Sequence, residues 1–313
     1  MTENITNTEM KNKEPGSDRI EPPAEEKEEA RLHPDADRAC SQELDDYDPY
    51  DDELDPKTKE RYETGYRYFN GEAGEKPDYQ KAYACFTDIA DQGIPEVLCD
   101  LGWMCETGTG TEKNPARAAE FYAQAAEEDS VDGYLCLAQL YEYGTGVPKN
   151  EDRAIDLCRR AAQLGDPSAM IELARLLEYR SRDAKDAEEK RRMYEEAAEC
   201  GDPIAMSALG EILEQDTGNP ENLKLAAKYY EQAARAGMLS GYLNLAKLYE
   251  SGTGVPEDKD RAIELYRRAA ESGDPYAMIQ LAHLLKYRNR SAEDIEEARC
   301  LIQKLNEWGY PLL

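Results

Sequence analysis

Histidine and cysteine are the residues whose spacing first decides whether this chain could carry out metal or acid–base chemistry. The sequence contains two histidines and eight cysteines. Neither His33 nor His283 has a cysteine at zinc-ligand spacing, and the sequence has no CxxC pair. Two histidines also leave little material for catalysis that depends on an imidazole. The sequence therefore predicts neither a metal site nor a histidine-based active site.

Motifs for nucleophiles and nucleotides are also missing from the sequence. It contains no SxxK, no GxSxG and no GxxxxGK[ST]. Three glycine strings, GTGT at 108–111 and GTGV at 144–147 and 252–255, could suggest a phosphate loop. Because no strand precedes them, we interpret them as tight turns between helices. We expect no enzyme activity, no catalytic residue and no cofactor.

The charge of the chain restricts its partners. The 313 residues include 67 Asp and Glu against 38 Lys and Arg, which gives a formal charge of −29. This charge repels the phosphates of nucleic acids and the anionic surface of a membrane. No apolar run approaches the ~18 residues of a transmembrane helix, and MTENITNTEMKNKEPGSD lacks the regions of a signal peptide. We expect a cytoplasmic protein without membrane insertion that does not bind nucleic acid.

Residues 1–57 differ in composition from the rest and are predicted to form a disordered acidic tail, since they contain few apolar residues. The densest segment is ELDDYDPYDDELD at 43–55. Its spacing does not fit a calcium loop, which needs a glycine at the sixth position and a closing glutamate. Two interpretations stay open. The tail either keeps the protein soluble or carries an acidic-aromatic motif that docks on a basic groove, either of a partner or of this protein itself.

From residue 58 onward the sequence repeats with a period of 36 residues. The seven units are 58–93, 94–129, 130–165, 166–201, 202–237, 238–273 and 274–309. Each contains an Asp or Asn before a helical run, and a side-chain oxygen at that place caps the free backbone N–H groups of a helix. This column comprises Asp78, Asn114, Asn150, Asp186, Asn222, Asp258 and Asp294. The other helix of several units begins at Asp-Pro, as at Asp202-Pro203, a cap followed by proline at the first helical position.

Apolar columns follow helical spacing. A leucine column, from Leu101 to Leu281, is followed by a column of Gly or Ala, and the second helix has a tyrosine column that includes Tyr122 and Tyr266. One helix hairpin cannot bury such a stripe alone, so neighbouring hairpins must stack. The sequence predicts an all-α fold, an α-solenoid of seven 36-residue helix hairpins over 58–313.

The repeat resembles the Sel-one-like repeat (SLR), a relative of the tetratricopeptide repeat. The motif stands at 133–165, GYLCLAQLYEYGTGVPKNEDRAIDLCRRAAQLG, and returns at 241–273. The resemblance covers 58–309, and the first unit departs from it at Arg61 and Gly65. It implies a right-handed superhelix that serves as a scaffold for protein–protein contacts.

One branch of the SLR family is secreted, rich in cysteine and associated with binding or hydrolysing β-lactams, and its repeats carry two bonded cysteines each. Here the cysteines fall at scattered columns of the repeat, which favours reduced thiols in the cytoplasm. They are Cys40, Cys85, Cys99, Cys105, Cys136, Cys158, Cys200 and Cys300. A β-lactam-hydrolysing enzyme is therefore only a remote alternative.

Two units carry Tyr-Arg-x-Arg at the positions where other units have a Gly-x-Gly turn. The block 133–189 matches 241–297 at 39 of 57 positions, so three repeats have been copied with this string. Arginine forks suit carboxylates and phosphates. The two strings place Tyr179, Arg180 and Arg182 in one spot, and Tyr287, Arg288 and Arg290 in another. A structural interpretation competes, in which arginine extends the first helix and pairs with Glu178 or Asp183.

A second candidate set comes from the helix that lines the inner curve of related solenoids. Its exposed columns map to Trp103, Gln139, Tyr143, Arg175, Tyr179, Glu211, Lys247, His283 and Tyr287. Aromatic and arginine side chains often anchor interfaces, although some of these residues, Trp103 above all, could belong to the core.

The function predicted from the sequence is a non-enzymatic scaffold or adaptor. It is expected to be a monomer that binds a peptide or protein partner on its inner face. The alternative from another class is an acidic inhibitor or immunity-type protein that plugs a basic effector.

Overall fold

The computed structural model describes residues 54–71, 76–180, 183–216, 219–288 and 291–310. Within these ranges the regular secondary structure is helical and confirms the predicted α-solenoid. The α-helices are α1 Pro56–Asn70, α2 Tyr79–Thr87, α3 Pro95–Thr107, α4 Pro115–Glu127, α5 Val131–Tyr143, α6 Glu151–Gln163, α7 Pro167–Arg180, α8 Ala184–Glu199, α9 Pro203–Gln215, α10 Pro220–Arg235, α11 Leu239–Ser251, α12 Lys259–Glu271, α13 Pro275–Arg288 and α14 Ala292–Glu307. A short 3-10 helix, Ala90–Gln92, follows α2.

The helices form seven hairpins, and each helix packs against the one before it and the one after it in the chain. The first hairpin begins with Asp55, which caps α1, three residues ahead of the predicted boundary at 58. Almost all of the predicted tail, including 43–53, lies outside the described residues, so its disorder stays a prediction.

The Asx column caps the second helix in four of the seven hairpins. Asn150, for example, accepts a hydrogen bond from the backbone N–H of Arg153 at 3.0 Å. The same contact is made by Asp78, Asn114 and Asp258. These residues satisfy N–H groups that have no partner within the helix.

The predicted caps Asp186, Asn222 and Asp294 are wrong, because α8, α10 and α14 begin about one turn earlier. The observed caps stand three residues upstream, at Asp183, Asn219 and Ser291. These helices have 16 residues, whereas α4, α6 and α12 have 13. The affected units lack the Gly-x-Gly turn, so a different connection leads into the second helix.

The glycine strings form turns, as the sequence indicates. In GTGV at 144–147, Gly144 and Gly146 have φ values of 74° and 72°, a left-handed conformation that favours glycine. A Cβ atom on Gly146 would also lie 2.3 Å from the carbonyl carbon of Pro115. This turn therefore packs directly against the start of α4 in the preceding hairpin.

The core follows the predicted columns. Leu101, Leu173 and Leu281 are at most 1 % exposed. The small-residue column exists because a tyrosine ring from the second helix lies over it. A Cβ on Gly102 would stand 2.5 Å from Tyr122, and one on Gly210 would stand 2.3 Å from Tyr230. Glycine thus lets the two helices of a hairpin approach closely.

Candidate functional site

The odd-numbered helices, the first of each hairpin, stand next to one another and share a solvent-facing side. Hydrogen bonds join neighbours along this row. Tyr66 on α1 donates to Asp100 on α3 at 2.6 Å, and Ser207 on α9 donates to Ser240 on α11 at 2.7 Å. The predicted residues at 36-residue spacing, from Trp103 to His283, all lie on this side and are half-buried or exposed. We call it the odd-helix face.

Arg175 is held by two carboxylates on the odd-helix face. Its guanidinium donates to Glu172 on its own helix through Nε at 2.9 Å, and to Glu142 on α5 at 2.6 Å. Hydrogen bonding to Glu172, followed by Glu142, raises the pKa of Arg175 above its usual range. The positive charge of this candidate is therefore compensated within the protein.

The Glu142 contact has a local cause. Three other units pair a glutamate on the first helix with the buried tyrosine of the second, which donates its hydroxyl proton. These pairs are Tyr122–Glu106 at 3.2 Å, Tyr230–Glu214 at 2.9 Å and Tyr266–Glu250 at 3.1 Å. In the third unit Cys158 replaces the tyrosine, and Glu142 accepts from Arg175 instead. Sequence reasoning missed the tyrosine–glutamate pairs, although the tyrosine and the glutamate each recur at a spacing of 36 positions.

Lys247 and Glu211 belong to one polar network further along the face. Asn244 donates to Glu211 at 3.1 Å, and the Lys247 ammonium lies 3.5 Å from the Asn244 side-chain oxygen. The same ammonium stands 5.2 Å from the ring centroid of Tyr276, on the next odd-numbered helix. The structure thus connects three hairpins through Glu211 and Lys247, which the sequence placed in one column, together with Asn244 and Tyr276. His283 follows on α13 and is exposed.

The aromatic candidates divide into two groups. Tyr143 and Tyr179 occupy equivalent positions in adjacent hairpins and are 57 % and 77 % exposed. Trp103 is half-buried, with its ring 5.8 Å from Phe69 and 6.3 Å from Tyr79. Gln139 is half-buried as well. The two tyrosines therefore offer apolar surface to a partner, whereas Trp103 mainly packs within the protein.

Arg180 forms hydrogen bonds with carboxylates on two neighbouring helices. Its guanidinium forms two hydrogen bonds with Asp186 on α8, one of them from Nε at 2.9 Å, and a third with Asp152 at 3.3 Å. The hydrogen bonds to Asp186 are the main cause of a raised pKa of Arg180. Arginine does extend the first helix, as the structural interpretation holds, but its partners are Asp186 and Asp152 rather than Glu178 or Asp183.

The remaining members of the two Tyr-Arg-x-Arg strings cannot be placed in the same way. Arg182 and Arg290 lie outside the described residues. Tyr287 and Arg288 end α13, and their side chains are outside the described part as well. A binding role for these four residues stays a prediction.

The copied block preserves one ion pair on the even-numbered helices. Arg159 on α6 binds Glu189 on α8, and Arg267 on α12 binds Glu297 on α14, each from Nε at 2.8 Å. Hydrogen bonding from Arg159 lowers the pKa of Glu189 below its usual range. These pairs lie between consecutive hairpins, so they set how one hairpin stacks on the next.

Clusters of metal-ligating side chains and long apolar helices are the features that would indicate a metal site or a membrane span in the described part of the chain. Within it, no group of three or more His, Cys, Asp or Glu side chains could hold a metal ion. The helices described there include none long and apolar enough to cross a membrane. The seven described cysteines are free thiols, and Cys40 lies outside the described residues.

Solved structures similar to this chain contain the same type of repeat. A protective antigen of uropathogenic Escherichia coli strains that displays an SLR fold is 27 % identical, with a TM-score of 0.72 over 81 % of this chain and 54 % of its own. The match thus spans about half the length of that protein. A Sel1 repeat protein from Oxalobacter formigenes is 27 % identical, with a TM-score of 0.62 over 80 % of this chain and 98 % of its own.

A more distant likeness is to the immunity protein Pa5087 from Pseudomonas aeruginosa. It is 21 % identical, with a TM-score of 0.40 over 70 % of this chain and 83 % of its own, which has no bearing on function. Among curated proteins, none matches the sequence.

The Sel1 repeat model matches residues 61–94, 95–130, 134–166, 167–202, 203–238 and 239–274. The seventh hairpin, α13 with α14, follows the last of these matches. Because the matches cover more than half of the sequence and coincide with the stacked hairpins, the chain belongs to the Sel1 repeat family.

Proposed function

We propose that this protein is a non-enzymatic scaffold that binds a peptide or protein segment along the odd-helix face. Sel1 repeat proteins generally mediate protein–protein interactions and typically act as scaffolds without enzymatic activity. The observation that carries the proposal is the pair of exposed tyrosines, Tyr143 and Tyr179, on adjacent stacked helices. Large aromatic side chains held on a rigid frame are frequent anchors of interfaces.

The rest of the odd-helix face supports the same function. Arg175 lies on the same helix as Tyr179, and Lys247 lies two hairpins further along the row, each within a network of polar side chains. Preorganised side chains lose little conformational entropy when a partner binds. The proposal includes a monomer in the cytoplasm, where free thiols such as Cys158 persist.

The test is a pull-down in which the full chain and its variants are compared by quantitative mass spectrometry. Removal of one interfacial anchor typically costs about 2 kcal/mol, so Tyr143→Ala with Tyr179→Ala should deplete a specific partner about tenfold or more. The matched control is Leu164→Ala, which removes a side chain 48 % exposed at the end of α6 and should leave recovery unchanged. Equal recovery of every partner by the tyrosine variant would contradict the proposal.

The net charge of −29 favours a second candidate, an acidic inhibitor of a basic effector. Electrostatic attraction between such partners weakens with salt, because added ions screen exposed charges. In the same pull-down this candidate predicts a basic partner that is recovered at low salt, is lost at moderate salt, and loses its activity when this protein is added. A partner without excess basic charge would exclude it.

A further inference from the structure

The copied block supplies a comparison within one chain. Residues 133–189 and 241–297 share 39 of 57 positions, and they fold into equivalent hairpins. On the odd-numbered helices the two copies differ at seven positions, and none of these side chains is buried in either copy. The copies therefore keep one frame and present different side chains on the odd-helix face.

These differences reverse the charge of the face. The first copy has three carboxylates, Glu142, Glu172 and Glu178, and one cation, Arg175. In the second copy Glu250 is the carboxylate, and it accepts a hydrogen bond from Tyr266 at 3.1 Å. The second copy's cations on this face are Lys247 and Lys286, and His283 stands in the place of Arg175.

The gain of positive charge in the second copy occurs on the odd-helix face. Leaving aside the arginine at the end of α7 and of α13, which both copies share, the formal charge of the face changes from −2 to +1. The differences elsewhere in the block add up to the opposite change, for example where Lys149 and Lys185 correspond to Glu257 and Glu293. Total charge is thus equal in the two copies, and positive charge is concentrated on the odd-helix face of the second.

The cations of the second copy are accessible. Lys247 and Lys286 are exposed, and neither forms an ion pair with any described carboxylate. Lys247 is steadied by Asn244 at 3.5 Å and by the ring of Tyr276 at 5.2 Å. Arg175 in the first copy, by contrast, is already bound to two glutamates. On this face of the second copy, Lys247 lies next to the exposed ring of Tyr276, and Lys286 stands further along α13.

We infer that the surface formed by Asn244, Lys247, Tyr276, His283 and Lys286, the basic patch, binds an acidic extended segment of a partner protein. Carboxylates would pair with the two ammonium groups, and Tyr276 would contact an apolar or aromatic side chain of the segment. A long polyanion such as a nucleic acid would meet the acidic remainder of the protein, whose net charge is −29, so the patch suits a short acidic peptide. This inference rests on the proposed scaffold function and specifies its partner at one end of the face.

A labelled peptide with the sequence ELDDYDPYDDELD, that of residues 43–55, is a suitable acidic probe because it combines carboxylates with tyrosines. Fluorescence anisotropy with the full chain should show saturable binding that weakens with salt. Replacing the lysines with the residues of the first copy, as Lys247→Gln with Lys286→Glu, should weaken binding about tenfold. Lys247→Gln alone should have a smaller effect.

Two controls test whether peptide binding depends on the basic patch and on the charge of the probe. Gln139→Ala with Glu178→Ala changes the equivalent positions of the first copy and should leave peptide affinity unchanged. A probe with Asn and Gln in place of Asp and Glu should not bind. Equal affinity of the lysine variant and the wild type, or equal binding of the neutral probe, would overturn the inference.

The chain's own tail is the alternative occupant. If the probe binds only after the acids at 43–55 of the full chain are changed to Asn and Gln, the tail fills the patch and the inference of an external partner is wrong. The scaffold function is judged separately. A partner whose recovery depends on Tyr143 and Tyr179 but not on Lys247 and Lys286 would leave that function standing and refute the patch.

Discussion

The strongest consequence of the structure for stability is at the Arg180–Asp186 pair. Asp186 is 5 % exposed, and Arg180 binds both of its carboxylate oxygens. Replacing Arg180 with Ala would remove the cation that binds both oxygens of this buried carboxylate, and breaking such a pair typically costs about 3–5 kcal/mol. Because the Arg180 side chain is still 18 % exposed, water can partly replace it, and we expect about 2–3 kcal/mol. The contact with Asp152 adds little, because that side chain is 72 % exposed.

Urea denaturation followed by circular dichroism measures this loss. Arg180→Ala should lower the unfolding midpoint, and adding Asp186→Ala should recover much of the loss, because the buried charge is then removed as well. Arg235→Ala is the control, since its side chain is 74 % exposed and pairs with Glu231 on the surface; about 0.5 kcal/mol is expected. If Arg180→Ala unfolds like wild type and instead weakens partner binding, Arg180 is a binding residue and the reasoning is refuted.

Three further predictions follow from the described contacts. Gly146→Ala should lower the stability measured by thermal unfolding by about 2 kcal/mol or more, since the added Cβ would clash with Pro115. Gly165 has a φ of 86° but no atom within 4 Å of a Cβ, so Gly165→Ala should lower the stability by only about 1 kcal/mol. Equal losses in the two variants would contradict the close contact at Gly146. Alkylation of the folded protein at pH 8 should label the exposed thiols of Cys200 and Cys300 quickly and that of Cys158 slowly, because burial raises the pKa of Cys158 to about 12. Rapid labelling of all thiols would contradict this packing. Arg159→Ala should lower the free energy of unfolding by about 1–2 kcal/mol, more than Arg267→Ala, because the Glu189 side chain is 12 % exposed and that of Glu297 is 33 % exposed. Since the pKa of Glu189 is lowered in the folded protein, the loss should be present at pH 7 and fade as the pH falls below about 4. A loss of stability that persists in acid would contradict the assignment.

The hairpin architecture could be predicted from the sequence because local signals repeat seven times. The caps at Asn114 and Asn150 and the leucine column each follow from chemistry within one hairpin. The three displaced caps show where a pattern shared by all seven units predicts the wrong capping residue. Asn219 precedes Pro220, the same cap-proline signal that marks other helix starts, but the period of 36 directed attention to Asn222.

The side-chain networks could be predicted only in part. Arg175 pairs with Glu142 because a cysteine replaces a tyrosine on another helix, which becomes evident only when the helices are in place. Arg180 was weighed as a binding residue or a structural one, and its partner Asp186 was assigned to capping. Once the helix starts earlier, Asp183 performs that role and the Asp186 carboxylate is left to bind arginine.

Photo-crosslinking in living cells tests the central claim, that partners bind the odd-helix face, most directly. A benzophenone amino acid would be placed at Tyr143, Tyr179 or Tyr276 on the odd-numbered helices, and at Leu225 or Ile295 on the even-numbered ones, all at least 37 % exposed. Our account predicts discrete adducts to a partner protein from the odd-helix positions and none from the even ones. Adducts that form only from Leu225 or Ile295 would contradict it.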